Sequence, residues 1–349
     1  MTRQLTIALD AMGGDHAPGV ILDGANIARE RHPDLRFLIC GDQARIDKAL
    51  APYPRLREQV TIRHTDEVVT AEDKPGQALR RGRNSSMALA IEAVREGEAQ
   101  VAVSAGNTGA LMALAKFMLR TMPGIDRPAL ATLLPSSRGE SVMLDLGANV
   151  ECDERNLVEF AVMGAAFART ALGVPRPTVA LLNVGVEELK GHDLVKGAGQ
   201  TLKQSPLPLE FAGFIEGDGI AEGAVDVIVT DGFTGNVALK TAEGTARMIA
   251  GLMKNAFLSS WLARLGYLFA RPGLRALQDH LDPNNHNGAV FLGLNGLVVK
   301  SHGGANAVGI ASAIGVAYDM AADDLGARIA ADMETSASQA GETGEVAAS

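Results

Sequence analysis

A doubly wound, mostly parallel α/β sheet is the fold this sequence predicts, and three observations predict it. Short β-branched runs alternate with stretches of helical apolar spacing along nearly the whole chain. The joints between them are rich in glycine, as tight strand-to-helix turns require, and the chain carries 39 glycines. With 349 residues and 47% hydrophobic content there is enough apolar material for a large core.

Residues 5–9 read as the first strand, entering the turn Asp10-Ala11-Met12-Gly13-Gly14-Asp15-His16-Ala17-Pro18. A helix over 19–31 follows, with Pro18 suited to its first turn. Two acids and a histidine beside a glycine pair make this turn chemically richer than a connector needs. Strands over 35–39 and 60–63 flank a helix that ends near Ala51. Pro75-Gly76 marks a turn, and Asn84 or Ser85 caps a helix running to about Glu96. Between them Arg80, Arg81 and Arg83 form the densest basic cluster of the chain. Such a cluster is either a solvated face or a docking point for an acidic partner.

Val101-Ala102-Val103 is a strand that leads into Ser104-Ala105-Gly106-Asn107-Thr108-Gly109 and a helix over 110–119. Residues 129–134 and 141–144 form a hairpin, Asp153 caps a long helix to Leu172, and 178–182 is a strand. Glu187, Glu188, Lys190, His192 and Asp193 then crowd one turn. Residues 209–215 are the next strand, and 225–230 another, broken by Asp231-Gly232-Phe233-Thr234-Gly235-Asn236 before helical spacing starts at Val237.

The breaks at Ser104 and Thr230 share the pattern [Ser/Thr]-x-Gly-x-Thr-Gly. A strand-to-helix turn of this kind presents unpaired amide N–H groups, glycines that allow close approach, and hydroxyls that donate to an anion. Neither turn is a P-loop or a dinucleotide fingerprint. The anion expected is therefore free phosphate, or phosphate on a small molecule. In a doubly wound sheet ligands sit beyond the carboxyl ends of the strands, so these corners are expected to meet at one rim.

Residues 248–277 differ from the rest. Leu252, Met253, Phe257, Leu258, Trp261, Leu262, Leu265, Leu268 and Phe269 form an apolar stripe at helical spacing, and the only charges are Lys254, Arg264, Arg271 and Arg275. Cation-only charge beside a Trp suits a helix lying in a membrane interface, with Phe257, Leu258, Trp261, Leu262, Leu265 and Leu268 as the contact. Four such side chains, at about 1.5–3 kcal/mol each when buried, suffice for reversible attachment. A core or dimer-forming helix pair turning at Ser259-Ser260 is the alternative. The strand over 297–300 then meets Ser301-His302-Gly303-Gly304-Ala305-Asn306, where Lys300 and His302 beside helix-opening amides suit an anion and a thioester. A helix runs on to about Met320. The expected organisation is one α/β catalytic domain over 1–332, an apolar helical hairpin inserted at 248–278, and a disordered tail over 333–349.

A formal charge of −9 excludes a general nucleic-acid binder. Two cysteines, Cys40 and Cys152, suit reduced thiols in the cytoplasm rather than a disulfide framework. The first residues do not read as a signal peptide, and no stretch reads as a membrane span. No His-Glu-x-x-His and no zinc-spaced cysteine pair occurs, so neither a metal nor a cofactor is expected.

The stretches 8–18, 104–112, 144–150 (Leu-Asp-Leu-Gly-Ala-Asn-Val), 231–240 and 298–303 together resemble the bacterial phosphate acyltransferases of phospholipid synthesis, the PlsX family. The resemblance runs from Ala8 to about Tyr318. It implies a homodimeric Rossmann-like α/β fold similar to phosphotransacetylases and isocitrate dehydrogenases. It also implies transfer of a fatty acyl group from acyl carrier protein to inorganic phosphate, peripheral attachment to the inner face of the cytoplasmic membrane, and a glycerol-3-phosphate acyltransferase downstream. Val186, Phe214 and His286 depart from the family pattern.

On this reading Asp10, Gly13, Gly14, Asp15, Ser104, Gly106, Asn107, Thr108, Asp231, Gly232, Thr234, Gly235 and Asn236 form the phosphate and substrate corners. His16, Lys190, Lys300 and His302 supply charge and proton transfer, and Arg80, Arg81, Arg83 and Lys254 dock the acidic carrier protein. Three rivals stand beside it: Cys152 as an acyl-accepting nucleophile, a phosphotransacetylase using acyl-CoA, and a non-catalytic membrane scaffold for lipid enzymes.

Overall fold

The computed structural model describes residues 4–205, 207–282 and 284–346. The first part of the chain forms β1 (Thr6–Asp10), α1 (Gly19–Arg31), β2 (Arg36–Gly41), α2 (Gln43–Leu50), α3 (Pro54–Arg57), β3 (Val60–His64), α4 (Pro75–Arg81), α5 (Ser86–Arg95), β4 (Val101–Ser104) and α6 (Thr108–Leu119). Next come β5 (Ala129–Ser136), β6 (Gly139–Leu144), α7 (Glu154–Ala171), β7 (Thr178–Leu182), α8 (Asp193–Gln204), β8 (Glu210–Ile215), α9 (Gly217–Glu222) and β9 (Val227–Val229). The last elements are α10 (Gly232–Leu258), α11 (Trp261–Leu281), β10 (Ala289–Leu292), β11 (Leu297–Lys300), α12 (Ala307–Ala322) and α13 (Leu325–Val346).

The described strands form one 11-stranded sheet in the order β3-β2-β1-β4-β11-β10-β5-β6-β9-β7-β8. Strand alternation supplies both faces of its core. Ile7 and Leu9 of β1 join Ile310 and Ile314 of α12 on one face, while Ala8 joins Met87 and Ile91 of α5 on the other. Caps fall where short polar side chains precede apolar runs: Ser85 accepts from Ala88 N–H, Asp153 from Asn156 N–H and Asn107 from Ala110 N–H.

The mostly parallel sheet is present, but its two halves run in opposite directions. β3, β2, β1, β4 and β11 are mutually parallel, and so are β6, β9, β7 and β8. β10 and β5 lie between them, each antiparallel to both of its neighbours. The corner after β4 and the corner after β9 therefore leave opposite edges of the sheet, which corrects the expectation of one shared rim. Sheet twist partly reconciles them. At about 20–25° per strand, five steps from β4 to β9 turn the strand direction by roughly 100–125°, so with the reversal the two carboxyl ends face within roughly 55–80° of each other.

Three local expectations also change. Pro75 opens α4 rather than marking a turn, since a proline at the first helical position has no amide to satisfy. Asp231 caps α10, so Gly232 to Asn236 lie inside the helix and not in a turn before it. Beyond Glu334, where disorder is expected, α13 continues to Val346, and residues 347–349 lie outside the described residues.

The helix pair breaks at Ser259 and Ser260, as its sequence suggests, with Ser260 capping α11 through Ala263 N–H. Leu258, Trp261, Leu262, Leu265 and Leu268 are exposed, Trp261 at 73%, while Phe257 turns inward onto Tyr267 at 5.5 Å between ring centroids. Among the described residues, no helix is long and apolar enough to cross a membrane.

Candidate active site

Three corners at the carboxyl ends of β1, β4 and β11 are joined by backbone hydrogen bonds. Asp15 N–H donates to Gly303 O at 2.9 Å, and Ser301 N–H donates to Ser104 O at 2.9 Å. The close approach needs glycine. Gly14 has φ +97°, and a β-carbon there would stand 3.0 Å from both the Ala105 side chain and Gly303 O. Asn287, buried and given no role from sequence, fixes the third corner. Its amide donates to Ser301 Oγ at 2.7 Å and its carbonyl accepts from His302 N–H at 3.1 Å. The His-Asn-Gly run before β10 was its signal.

Asp10 lies beneath this junction, 1% exposed. Its carboxylate accepts from Ser86 Oγ and Ser104 Oγ, each at 2.6 Å, and from Met12 N–H at 3.3 Å. Burial pushes its carboxyl above the usual range against the pull of those hydroxyls. A buried carboxylate does not receive phosphate, so Asp10 holds the corners together instead. Ser104 is corrected in the same way, because its hydroxyl donates to Asp10 and accepts from Gly106 N–H at 3.0 Å. Asn107 is engaged too: besides capping α6 it donates to Ala71 O at 2.9 Å and Asp73 O at 3.1 Å. The exposed Thr108 and the half-buried Gly109, opening α6, carry helix-opening amides that have no intrahelical partner.

Lys300 ends β11 at 9% exposure, and its ammonium donates to Ser301 O. Burial pulls its pKa down to about 8, with Asp10 and Asp15 opposing and Lys240 reinforcing. His302 is 48% exposed, and burial lowers its pKa while Glu243 opposes. His16 is exposed beside Asp15, whose carboxylate lies over Gly303 and Gly304.

The second group of corners forms its own cluster. Asp145 at the end of β6 is buried and accepts from Leu130 N–H at 2.9 Å, Ala148 N–H at 3.1 Å and Asn149 N–H at 2.6 Å. A β-carbon on Gly235 would collide with Asp145 O, so only glycine lets α10 seat here. The α10 amides expected to bind anion are largely engaged. Gly232 N–H donates to Asn149 O at 2.8 Å, while Thr234 N–H and Oγ1 donate to Asp231 at 2.9 and 2.7 Å. Asn236 packs beside Gly147. Asp231, Gly232, Thr234 and Gly235 are thus helix-seating residues, and the described contacts do not join them to Ser104 or Gly106.

What connects the clusters is α10 itself, expected as a helix from Val237 but with no role read for its charged face. Two to four turns from its start, Lys240, Glu243 and Arg247 share one face, and Glu243 Oε1 stands 3.6 Å from His302 Nε2. The i, i+3, i+7 spacing of charge was the available signal. Lys240, Arg247 and Lys300 therefore gather positive charge around His302 at the first cluster.

Lys190 has no described contact with this cluster. It is about half exposed on the loop after β7, pairs with Glu187 at 2.9 Å, and that partner raises its pKa. Arg80 and Arg83 stand on α4, bonded through Nε to Gly76 O and Leu79 O, with Arg83 over Phe117 at 5.1 Å. Arg81 is exposed beside them. The Pro75 ring at the start of α4 lies against Gly109, so this basic face borders the α6 corner. Lys254 is exposed on distal α10, and no described contact ties it to α4. Cys152 Sγ faces Asn149 O at 3.8 Å and burial pushes its thiol up to about 11, the opposite of an activated nucleophile. Phe214 packs edge-on against Phe211, and His286 Nδ1 pairs with Glu140 at 2.7 Å. Among the described residues no acid, His or Cys cluster could hold a metal ion.

A profile of the family described as fatty acid synthesis protein matches residues 5–328. A phosphate acyltransferase of Parvibaculum lavamentivorans is 60% identical over 335 residues, covering 96% of this chain and 93% of that protein. One from Rhodospirillum rubrum is 58% identical over 320 residues, 92% of each. Among solved structures, a phosphotransacetylase from Streptococcus pyogenes superposes with a TM-score of 0.62 at 18% identity, covering 92% of this chain and 94% of that one, a likeness of fold.

Proposed function

The chain belongs to this family of fatty acid synthesis proteins and is a phosphate acyltransferase, and we propose that its acyl donor is a fatty acyl-acyl carrier protein and its product an acyl phosphate. The observation that supports this most is the gathering of Lys240, Arg247 and Lys300 around His302, beside the corner where Ser301 N–H bonds to Ser104 O. Phosphate dianion held there faces four cationic or donor side chains and the amides of Thr108 and Gly109.

The chemistry needs no covalent enzyme intermediate. A phosphate oxygen attacks the thioester carbonyl, the carbon–oxygen bond forms, and the tetrahedral oxyanion collapses with loss of the thiolate. Hydrogen phosphate carries the proton that the departing sulfur requires, so reactants and products balance, and His302 relays it. Lys300, buried and poised near neutral pH, stabilises the charge that develops on the carbonyl oxygen. His16, exposed at the mouth, orients phosphate. Holding both reactants in one geometry supplies the rest of the acceleration.

The basic face of Arg80, Arg81 and Arg83 suits an acidic carrier protein delivering its thioester across the α6 corner. The exposed apolar tip of α10 and α11, with Lys254, Arg264 and Arg271 as its flanking charges, suits peripheral attachment to the anionic inner face of the cytoplasmic membrane. There a membrane glycerol-3-phosphate acyltransferase would consume the acyl phosphate. A homodimer completes this reading. Purified protein with long-chain acyl carrier protein and phosphate should yield acyl phosphate, and faster turnover of acyl-CoA run in parallel would overturn the donor assignment in favour of a phosphotransacetylase.

A further inference from the structure

Glu243 is the only acid in contact with the cations that α10 brings to the site, among the described residues. Both carboxylate oxygens stand 3.0 Å from Lys240 Nζ, Oε2 is 3.6 Å from Arg247 Nη1, and Oε1 is 3.6 Å from His302 Nε2. Its side chain is 13% exposed although those of Lys240 and Arg247, on the same face of α10, are 53% and 67% exposed. Glu243 therefore points inward from α10, toward a histidine that follows β11.

We propose that Glu243 is the positioning residue for His302: from the ion-pair distance of 3.6 Å it closes to a hydrogen bond when substrate binds, fixing the proton on Nε2 and leaving Nδ1 to face the reacting phosphate and sulfur. This rests on the acyl-transfer reading of the site. A carboxylate against one ring nitrogen selects the tautomer and steadies the imidazolium when it forms. Without it, His302 would face only repulsion from Lys240 and Arg247 of α10 and Lys300 of β11, and burial would favour the neutral ring further. Lys240 gains as well: clamped by Glu243, its ammonium is held near His302 and Lys300 instead of sweeping through solvent.

The test compares wild type, Glu243→Gln and Glu243→Asp by nitrogen-detected NMR titration of His302, assigned by its loss in His302→Gln, and by the pH dependence of acyl phosphate formation. Wild type should show the Nε2–H tautomer once phosphate binds. In Glu243→Gln the His302 titration should move to lower pH, the tautomer preference should be lost, and kcat should fall at least tenfold with the phosphate KM within about threefold. Glu243→Asp should restore part of the titration and the rate. An unmoved His302 titration in Glu243→Gln overturns the proposal, as does an equal loss across all pH values with a lowered melting temperature, which is what a purely structural ion pair gives. If wild type makes no acyl phosphate while the NMR shifts appear as expected, it is the acyl-transfer reading that has failed, because the titration does not depend on turnover.

Discussion

Lys300 provides the sharpest quantitative expectation. Burial brings its pKa to about 8, so the charged fraction follows 1/(1 + 10^(pH − 8)), about 0.76 at pH 7.5 and about 0.03 at pH 9.5. If only the ammonium form supports catalysis, kcat/KM for phosphate should fall about 25-fold between those values. The sign follows from the depressed pKa, since the proton is lost as pH rises through about 8 rather than near 10.5. Phosphate is already largely dianionic at the start of this window, and His302, with its pKa lowered, stays neutral throughout it. Lys300→Arg keeps its charge at every pH in the window and should flatten the profile. Lys300→Met should be flat as well but lower by roughly 10- to 150-fold, the worth of a charge-assisted contact of about 1.5–3 kcal/mol. Initial rates of acyl phosphate formation at fixed carrier-protein concentration measure all three. A wild-type profile that stays level to pH 9.5, or an arginine variant that still declines 25-fold, would show that the Lys300 ammonium is not what the reaction uses.

Asp231→Ala removes the cap of α10 and should lower stability by about 0.5–2 kcal/mol in denaturant titration, and an unchanged midpoint would deny the cap its role. Reversing Arg80 and Arg81 to Glu should raise the KM for carrier protein at low salt and leave that for phosphate unchanged; equal effects on both would place the basic face in the phosphate site instead. Trp261→Asp with Leu265→Asp should abolish flotation with anionic vesicles while activity on soluble substrate persists, whereas retained flotation would assign the exposed hairpin tip to another partner. Cys152→Ser should turn over normally, and a trapped acyl-enzyme on Cys152 would revive covalent catalysis.

Most elements were legible because local chemistry decides them. Ser85, Asp153 and Ser260 announce helix starts, and the break at Ser259 and Ser260 divides the apolar stripe as the structure does. The glycine corners were legible as corners. Their roles were not, because a sequence does not show where a hydroxyl or amide points. Ser104 and Asn107 look like anion donors until Asp10, Ala71 and Asp73 are seen to hold them. Strand direction was hidden for a related reason: β10 returns to the middle of the sheet from far along the chain, its two antiparallel pairings leave β5 parallel to β11, and the β5–β6 hairpin then reverses everything beyond it. Lys240 and Glu243 have only the spacing of an ordinary helical ion pair, and nothing local says that His302 stands beside them.

The length of α10 has a mechanical meaning. Its 27 residues make a rod of about 40 Å, seated at one end where Gly235 allows contact with Asp145, and Glu243 is the twelfth residue along it. With that seat as a pivot, a sideways push of about 4 Å at the far end carries Glu243 by roughly 1.4 Å, the ratio of the two arms for a rise of 1.5 Å per residue. That displacement is about two-fifths of the 3.6 Å separating the carboxylate from the imidazole. Whatever leans on the free end of the rod thus has leverage over a proton at the other.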